Sequence, residues 1–145
     1  MAYIAYLVFL TFLHWGIHPK LEIAFFWAGG LLGINFLDLA ESIFKKTSVG
    51  AETQPLHSPF KNVLFQIVFV PLAFFILTSS GSLFGAGLVF SMFLGMLIEE
   101  YQILMKNGNL GSWFWPVKIT VENRTQTIYF LVMAGFLTFL SLLFL

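Results

Sequence analysis

"LEIAFFWAGGLLGINFLDLAESIFKK", residues 21–46, decides how the rest of the chain is read. From 23 to 37 it carries no charge, and then Asp38, Glu41, Lys45 and Lys46 arrive within nine residues. A helix needs about 20 apolar residues to cross a hydrocarbon layer of roughly 30 Å. The run from Leu21 to Phe44 meets that length. Residues three apart share a helix face, so Asn35, Asp38 and Glu41 form one polar stripe with Ser42 beside it. Acids in a span usually face the bundle interior and often mark function. The stretch therefore predicts a membrane helix whose last turns hold something besides lipid.

The rest of the chain agrees. Of its 145 residues 59% are hydrophobic and only 10% are charged, with 19 Phe and a formal net charge of zero. A soluble domain carries closer to a quarter charged residues, so too few are present here to coat a water-facing surface. Zero net charge leaves no basic surface for nucleic acid. The absence of Cys excludes disulfides, thiolate zinc sites and a cysteine nucleophile. The N-terminal run, about 2–17, lacks a basic leader and a small-residue cleavage site, and reads as a retained first span, with a signal anchor as the alternative.

Four further apolar runs follow, at about 21–44, 62–78, 83–105 and 127–145. Pro19 ends the first run, because the residue before proline is pushed out of the helical region. Pro71 lies inside the third as a predicted kink. No repeat is visible, and the chain is expected to be one domain, 1–145: an all-α polytopic membrane bundle of about five transmembrane helices. Lys45, Lys46 and Lys61 follow the second run, and Lys106, Lys118 and Arg124 follow the fourth. These are six of the seven basic residues. Basic loops stay cytosolic, which predicts a cytosolic N-terminus and an external C-terminus. Trp113 and Trp115 are expected as interfacial anchors on the cytosolic side, and His14 as an interface residue at the opposite end.

That topology brings Asp38 and Glu41, the loop residues His57 and Ser58, and the pair Glu99–Glu100 to one depth on one side. Carboxylates with an imidazole suit Zn, Mn, Fe or Mg, and a bound cation offsets crowded negative charge. A candidate set is Asp38, Glu41, His57 and one of Glu99 or Glu100, which could activate water and polarise a phosphoryl or acyl oxygen. The plainer alternative is a water line. There Glu41 pairs with Lys45 four residues on, Glu99 and Glu100 mark where the fourth span leaves the membrane, and Asp38 bonds Asn35 or a loop amide. "GGLLG" (29–33) and "GSLFGAG" (81–87) are small-residue surfaces that let helices approach closely.

In order, the pieces "GGLLGINFLDLAE" (29–41), "PLHSP" (55–59), "GMLIEEY" (95–101) and "GSWFWPVKI" (111–119) resemble the YdjM-like family of inner membrane-associated metal-dependent hydrolases. Members carry a Gly-rich span leading into Pro-Asp-x-Asp-His, a His-Arg-Gly-x-Thr-His-Ser loop, a span with His and Asp four apart, and then Trp-Pro. This chain keeps Asp38, His57, Ser58 and the Trp-Pro pair. It has Glu41 in place of the second Asp and His, Glu52 and Thr53 in place of the earlier loop His and Arg, and Gly95 where the family His stands. The resemblance covers about 29–120. It implies a divalent metal on Asp38, Glu41, His57 and Glu99, Glu100 as general base, and Asn35 and Ser58 orienting the ligands. Its substrate class is a lipid or lipid-linked phosphate met at the cytosolic membrane face. Two other expectations stand beside it: a non-enzymatic membrane scaffold or partner-binding subunit, and a small carrier. A carrier more often places acids at mid-membrane depth and shows a repeat.

Overall fold

The computed structural model describes residues 2–16, 21–47, 59–79, 81–117 and 121–144, with side chains of 45–47 left aside. Each apolar run is one helix: α1 (Ala2–Trp15), α2 (Leu21–Thr47), α3 (Val63–Ser79), α4 (Leu83–Asn107) and α5 (Asn123–Phe144). No strand occurs among the described residues. Three helices, α2, α4 and α5, are long and apolar enough to cross a membrane. At 1.5 Å per residue the 14 residues of α1 and 17 of α3 extend only about 21 and 26 Å. Both fall short of a full hydrocarbon layer unaided. The outer surface suits lipid: Leu21, Val68, Phe75, Leu131 and Leu142 all stand out from the bundle.

α4 is the central helix, and each of the other four packs against it. Its tightest partner is α2, and glycine is the reason. A Cβ at Gly29 would strike the Phe84 carbonyl, and one at Gly87 would strike the Phe26 carbonyl. One at Gly33 would lie 2.7 Å from the Leu88 carbonyl oxygen. The two helices thus cross backbone on backbone, as small-residue surfaces permit. Gly30, one position round, takes the Leu7 side chain of α1.

Contacts along the helices fix their directions. Gly29 meets Phe84 and Gly33 meets Leu88, so α2 and α4 run parallel. Phe69 packs on Phe93 while Ile76 meets Gly85, so α3 returns antiparallel to α4. Phe144 packs on Phe90, Phe136 on Phe93 and Phe130 on Tyr101, so α5 is antiparallel as well. α1 also opposes α4, with Tyr6 beside Phe90 and Tyr3 beside Gly95. All five helices alternate in direction, and both basic loops fall at one end. The helix runs through Pro71 without interruption.

The two ends are closed differently. At the end formed by the start of α2 and the finish of α1 and α5, Phe144 stacks on His14 and on Phe26, and Trp15 packs edge-on beside them. His14 is thus one ring of an aromatic cluster. At the other end the α4–α5 loop folds inward. Gly108 ends α4 with φ 72°, a left-handed conformation that glycine adopts without strain, and donates its N–H to the Leu104 carbonyl. Gln126 of α5 accepts from the Leu110 N–H and donates to the Val121 carbonyl. Val63 N–H donates to the Trp113 carbonyl at 3.1 Å, tying the loop to the start of α3. Trp113, expected as an interfacial anchor, is 1% exposed. The inward fold of this loop makes it a core residue. Trp115, two positions on, remains exposed.

Candidate functional site: an ammonium among three carboxylates

The acids at the ends of α2 and α4 do converge, and the cation between them is a lysine. Lys61 Nζ lies 2.8 Å from Asp38 Oδ1, 2.9 Å from Glu41 Oε2 and 3.1 Å from Glu99 Oε1. Three features place it there. The Asp38–Glu41 spacing puts both acids on one face of α2. The parallel crossing on Gly29, Gly33 and Gly87 brings Glu99 of α4 to their level. Asn62 caps α3, accepting from the Phe65 N–H at 3.0 Å and donating to the Pro59 carbonyl at 2.7 Å. The cap fixes the backbone next to Lys61 and directs the lysine towards the acids.

The cluster is graded in exposure. The side chains of Lys61 and Glu41 are 15% and 17% exposed, Glu99 is 34% and Asp38 is 75%. Burial works against the charged ammonium of Lys61, but hydrogen bonds to Asp38 and Glu41 and the field of Glu99 outweigh it. Together they hold the lysine above its ordinary range. Among the described side chains, three carboxylates face one ammonium. Tyr3 at the start of α1 lies within its field.

The structure describes every expected site residue except His57 and Ser58. Asp38, Glu41 and Glu99 come together. Asn35 does not join them: its amide donates to the Leu31 carbonyl of its own helix at 3.1 Å. Ser42 likewise bonds the Leu39 carbonyl. His57 and Ser58 lie outside the described residues, as does the Lys45 side chain expected to pair with Glu41. Among the described residues no group of three or more His, Asp or Glu is disposed to hold a metal ion. The three acids that meet have the Lys61 ammonium at the point they share, and the fourth expected ligand, His57, lies outside the described residues.

Glu100 stands apart from its neighbour. Adjacent helix positions are turned by about 100°, so Glu99 reaches Lys61 while Glu100 points into the bundle. It is fully buried. Near it are Gln66 of α3 and Tyr129 of α5. Gln66 Oε1 accepts from Trp113 Nε1 at 3.2 Å and from the Tyr129 hydroxyl at 2.6 Å. The Gln66 amide approaches the Glu100 carboxyl from α3.

Lys61 is the residue that sequence reasoning missed. It is counted there only as one of the basic residues that orient the chain. A basic residue predicted at the same depth as three acids was the available signal. Its reach, 23 residues back to Asp38, is invisible in local spacing. Comparison of the chain with family models, with curated proteins and with solved structures gives no match.

Proposed function

We propose that the chain is an integral membrane protein acting as a non-enzymatic scaffold or partner-binding subunit, with the acid cluster serving as an internal charge clasp. One observation carries this: the Lys61 ammonium stands where a metal-dependent hydrolase of the resembled family needs its ion. A clasp of this kind joins the end of α2, the start of α3 and the end of α4. It holds in register three helices that otherwise meet through apolar contacts and glycine. All five helices cross the membrane, α1 and α3 by virtue of their longer neighbours, and the end carrying the basic loops faces the cytosol. The membrane is the cell's inner membrane, as for the resembled family.

The test is the response to divalent ions. Anything that binds the folded state alone raises stability by mass action, about 2.7 kcal/mol at a hundredfold excess over Kd. Thermal unfolding of the detergent-purified protein should not shift on titration with Mg, Mn, Fe or Zn, and metal analysis should find no stoichiometric ion. Lys61→Met opens the three carboxylates to an external cation and should acquire a metal response. A metal-dependent rise in the parent protein would instead restore a metal-dependent hydrolase with Asp38, Glu41, His57 and Glu99 as ligands and a lipid or lipid-linked phosphate as substrate.

A further inference from the structure

α2 and α3 both lie against α4 but scarcely against each other. Glycines bring α2 onto the α4 backbone, while α3 is held off by ring on ring, Phe69 against Phe93. The difference leaves a furrow between α2 and α3. Phe65, Phe69, Leu72 and Ile76 recur on one face of α3 and make its wall. Phe36 of α2 stands opposite. Leu88 and Met92, one turn apart on α4, form the floor. The space is about 310 Å³, and every described residue lining it is apolar. At its far end Ile76 packs on Gly85 near the start of α4. At the other end Phe36 also borders a second trough of about 410 Å³. That trough runs along Leu39 and Ile43 to Phe44 and Phe60, at the end of the bundle with the basic loops.

The furrow opens sideways. Val68 on its rim is 68% exposed and belongs to the same outer surface that suits lipid. The furrow is continuous with that surface, so what fills it comes from the hydrocarbon layer. Size then separates a lipid chain from a partner helix. One helical turn, about 10 Å across and 5.4 Å tall, takes up about 400 Å³, more than the furrow holds. Helices in membranes also pair through small residues and interhelical hydrogen bonds, and the described lining of the furrow offers neither. A flexible methylene chain fills such a slot through dispersion contacts alone. From Phe65 to Ile76 the wall extends about 16 Å by helical rise, close to half of a hydrocarbon layer of roughly 30 Å. That half-thickness is the reach of the chains of one leaflet.

We propose that the furrow seats one acyl chain of a phospholipid from the leaflet at the basic-loop end. The lipid is held and not transformed, since no described residue along the furrow carries a reactive group. It completes the packing where α2 and α3 do not meet. The proposal rests on the reading that the bundle spans the membrane, and it is independent of whether the clasp admits a metal ion.

Photolabelling tests the seat. The full chain is reconstituted in liposomes with a phospholipid that carries a diazirine midway along one acyl chain. On illumination the diazirine loses dinitrogen, the carbene inserts into a neighbouring C–H bond, and the adducts are mapped by peptide mass spectrometry. Adducts should fall on Leu88 and Met92. Met92 is 3% exposed, out of reach of lipid that only coats the bundle, whereas Leu131 of α5, 61% exposed, reports that coating. Labelling of Leu131 with none on Leu88 or Met92 overturns the proposal. Native mass spectrometry of the protein released from nanodiscs gives a second reading. One phospholipid per chain should remain after the coating lipid is stripped. Leu72→Trp places a larger ring at the half-exposed rim and should cut the retained fraction about tenfold, while Leu131→Trp should leave it unchanged. A chain free of lipid, or equal loss in both variants, overturns the proposal. So does a dimer that Leu72→Trp dissociates, which gives the furrow to a second copy. Labelling uses the unaltered protein, so a misfolded Leu72→Trp does not remove the test. Alkaline carbonate separates the two readings. A chain washed out of liposomes does not span, and both readings fall; a chain that stays in with an unlabelled floor loses the furrow alone.

Discussion

Two neighbouring glutamates, Glu99 and Glu100, lead opposite lives in this bundle, and a lysine distant in sequence decides the difference. Lys61 binds three carboxylates, so its removal does more than subtract one ion pair. Lys61→Met removes the ammonium that Asp38, Glu41 and Glu99 share. The expected loss is about 2 kcal/mol, less than for a fully buried pair because the cluster opens to solvent at Asp38. Asp38→Asn, with its side chain 75% exposed, should cost about 0.5 kcal/mol or less. Thermal denaturation of both variants in one detergent checks the order, and similar losses would contradict the graded cluster. The pH dependence follows from the raised Lys61 value. A lysine held above its ordinary 10.5 contributes fully below that pH and loses its contribution as pH climbs through the folded-state value. The stability difference between the parent and Lys61→Met should therefore stay constant through neutral pH and shrink only on the alkaline side of about 10.5. A difference that vanishes between pH 6 and 9 would assign the stabilisation to some other group.

For the elements, the α2–α4 crossing matters most. Glycine costs about 1 kcal/mol against alanine inside a helix, so its use on both faces of one contact needs a packing cause. That cause is the near-touching of backbones at Gly29–Phe84 and Phe26–Gly87. Gly87→Ala or Gly29→Ala should destabilise by about 2 kcal/mol or more, since neither backbone can move without parting the helices. Gly135 of α5 is the control: no atom lies within 4 Å of a Cβ built there. Gly135→Ala should be neutral or stabilising by up to about 1 kcal/mol. Resistance to denaturation in mixed micelles measures both. A second effect is positional. Parting α2 from α4 separates Glu41 from Glu99, so Gly87→Ala should also weaken the dependence of stability on Lys61.

Over the whole molecule, the alternation of five helices puts Lys61 and Lys106 at one end and Phe144 at the other. A reporter active only outside the cytosol should work when fused after Leu145 and fail when inserted at Gly50, because basic loops resist export. The converse result would invert the protein in the membrane without altering its fold. Like activity at both positions would show that α3, whose length alone does not suffice, fails to cross, since α3, α4 and α5 separate the two positions.

The amino-acid sequence by itself determined what depends on composition and on distance along one helix. The five helices, their ends within a few residues, the lipid-suited surface and the shared face of Asp38 and Glu41 all follow from runs and spacings. So does the close approach at "GGLLG", since a small-residue surface is a property of the segment that bears it. Only tertiary structure decided who meets whom. Metal, loop imidazole and nearby lysine were equally compatible with a row of acids at a helix end; the capped start of α3 beside the α2–α4 crossing set Lys61 there. The same holds for Trp113 and Glu100. An aromatic in a loop and an acid at the end of a span look like surface groups until the loop folds inward. Burial belongs to the assembled helices, since it depends on what comes to lie opposite each side chain.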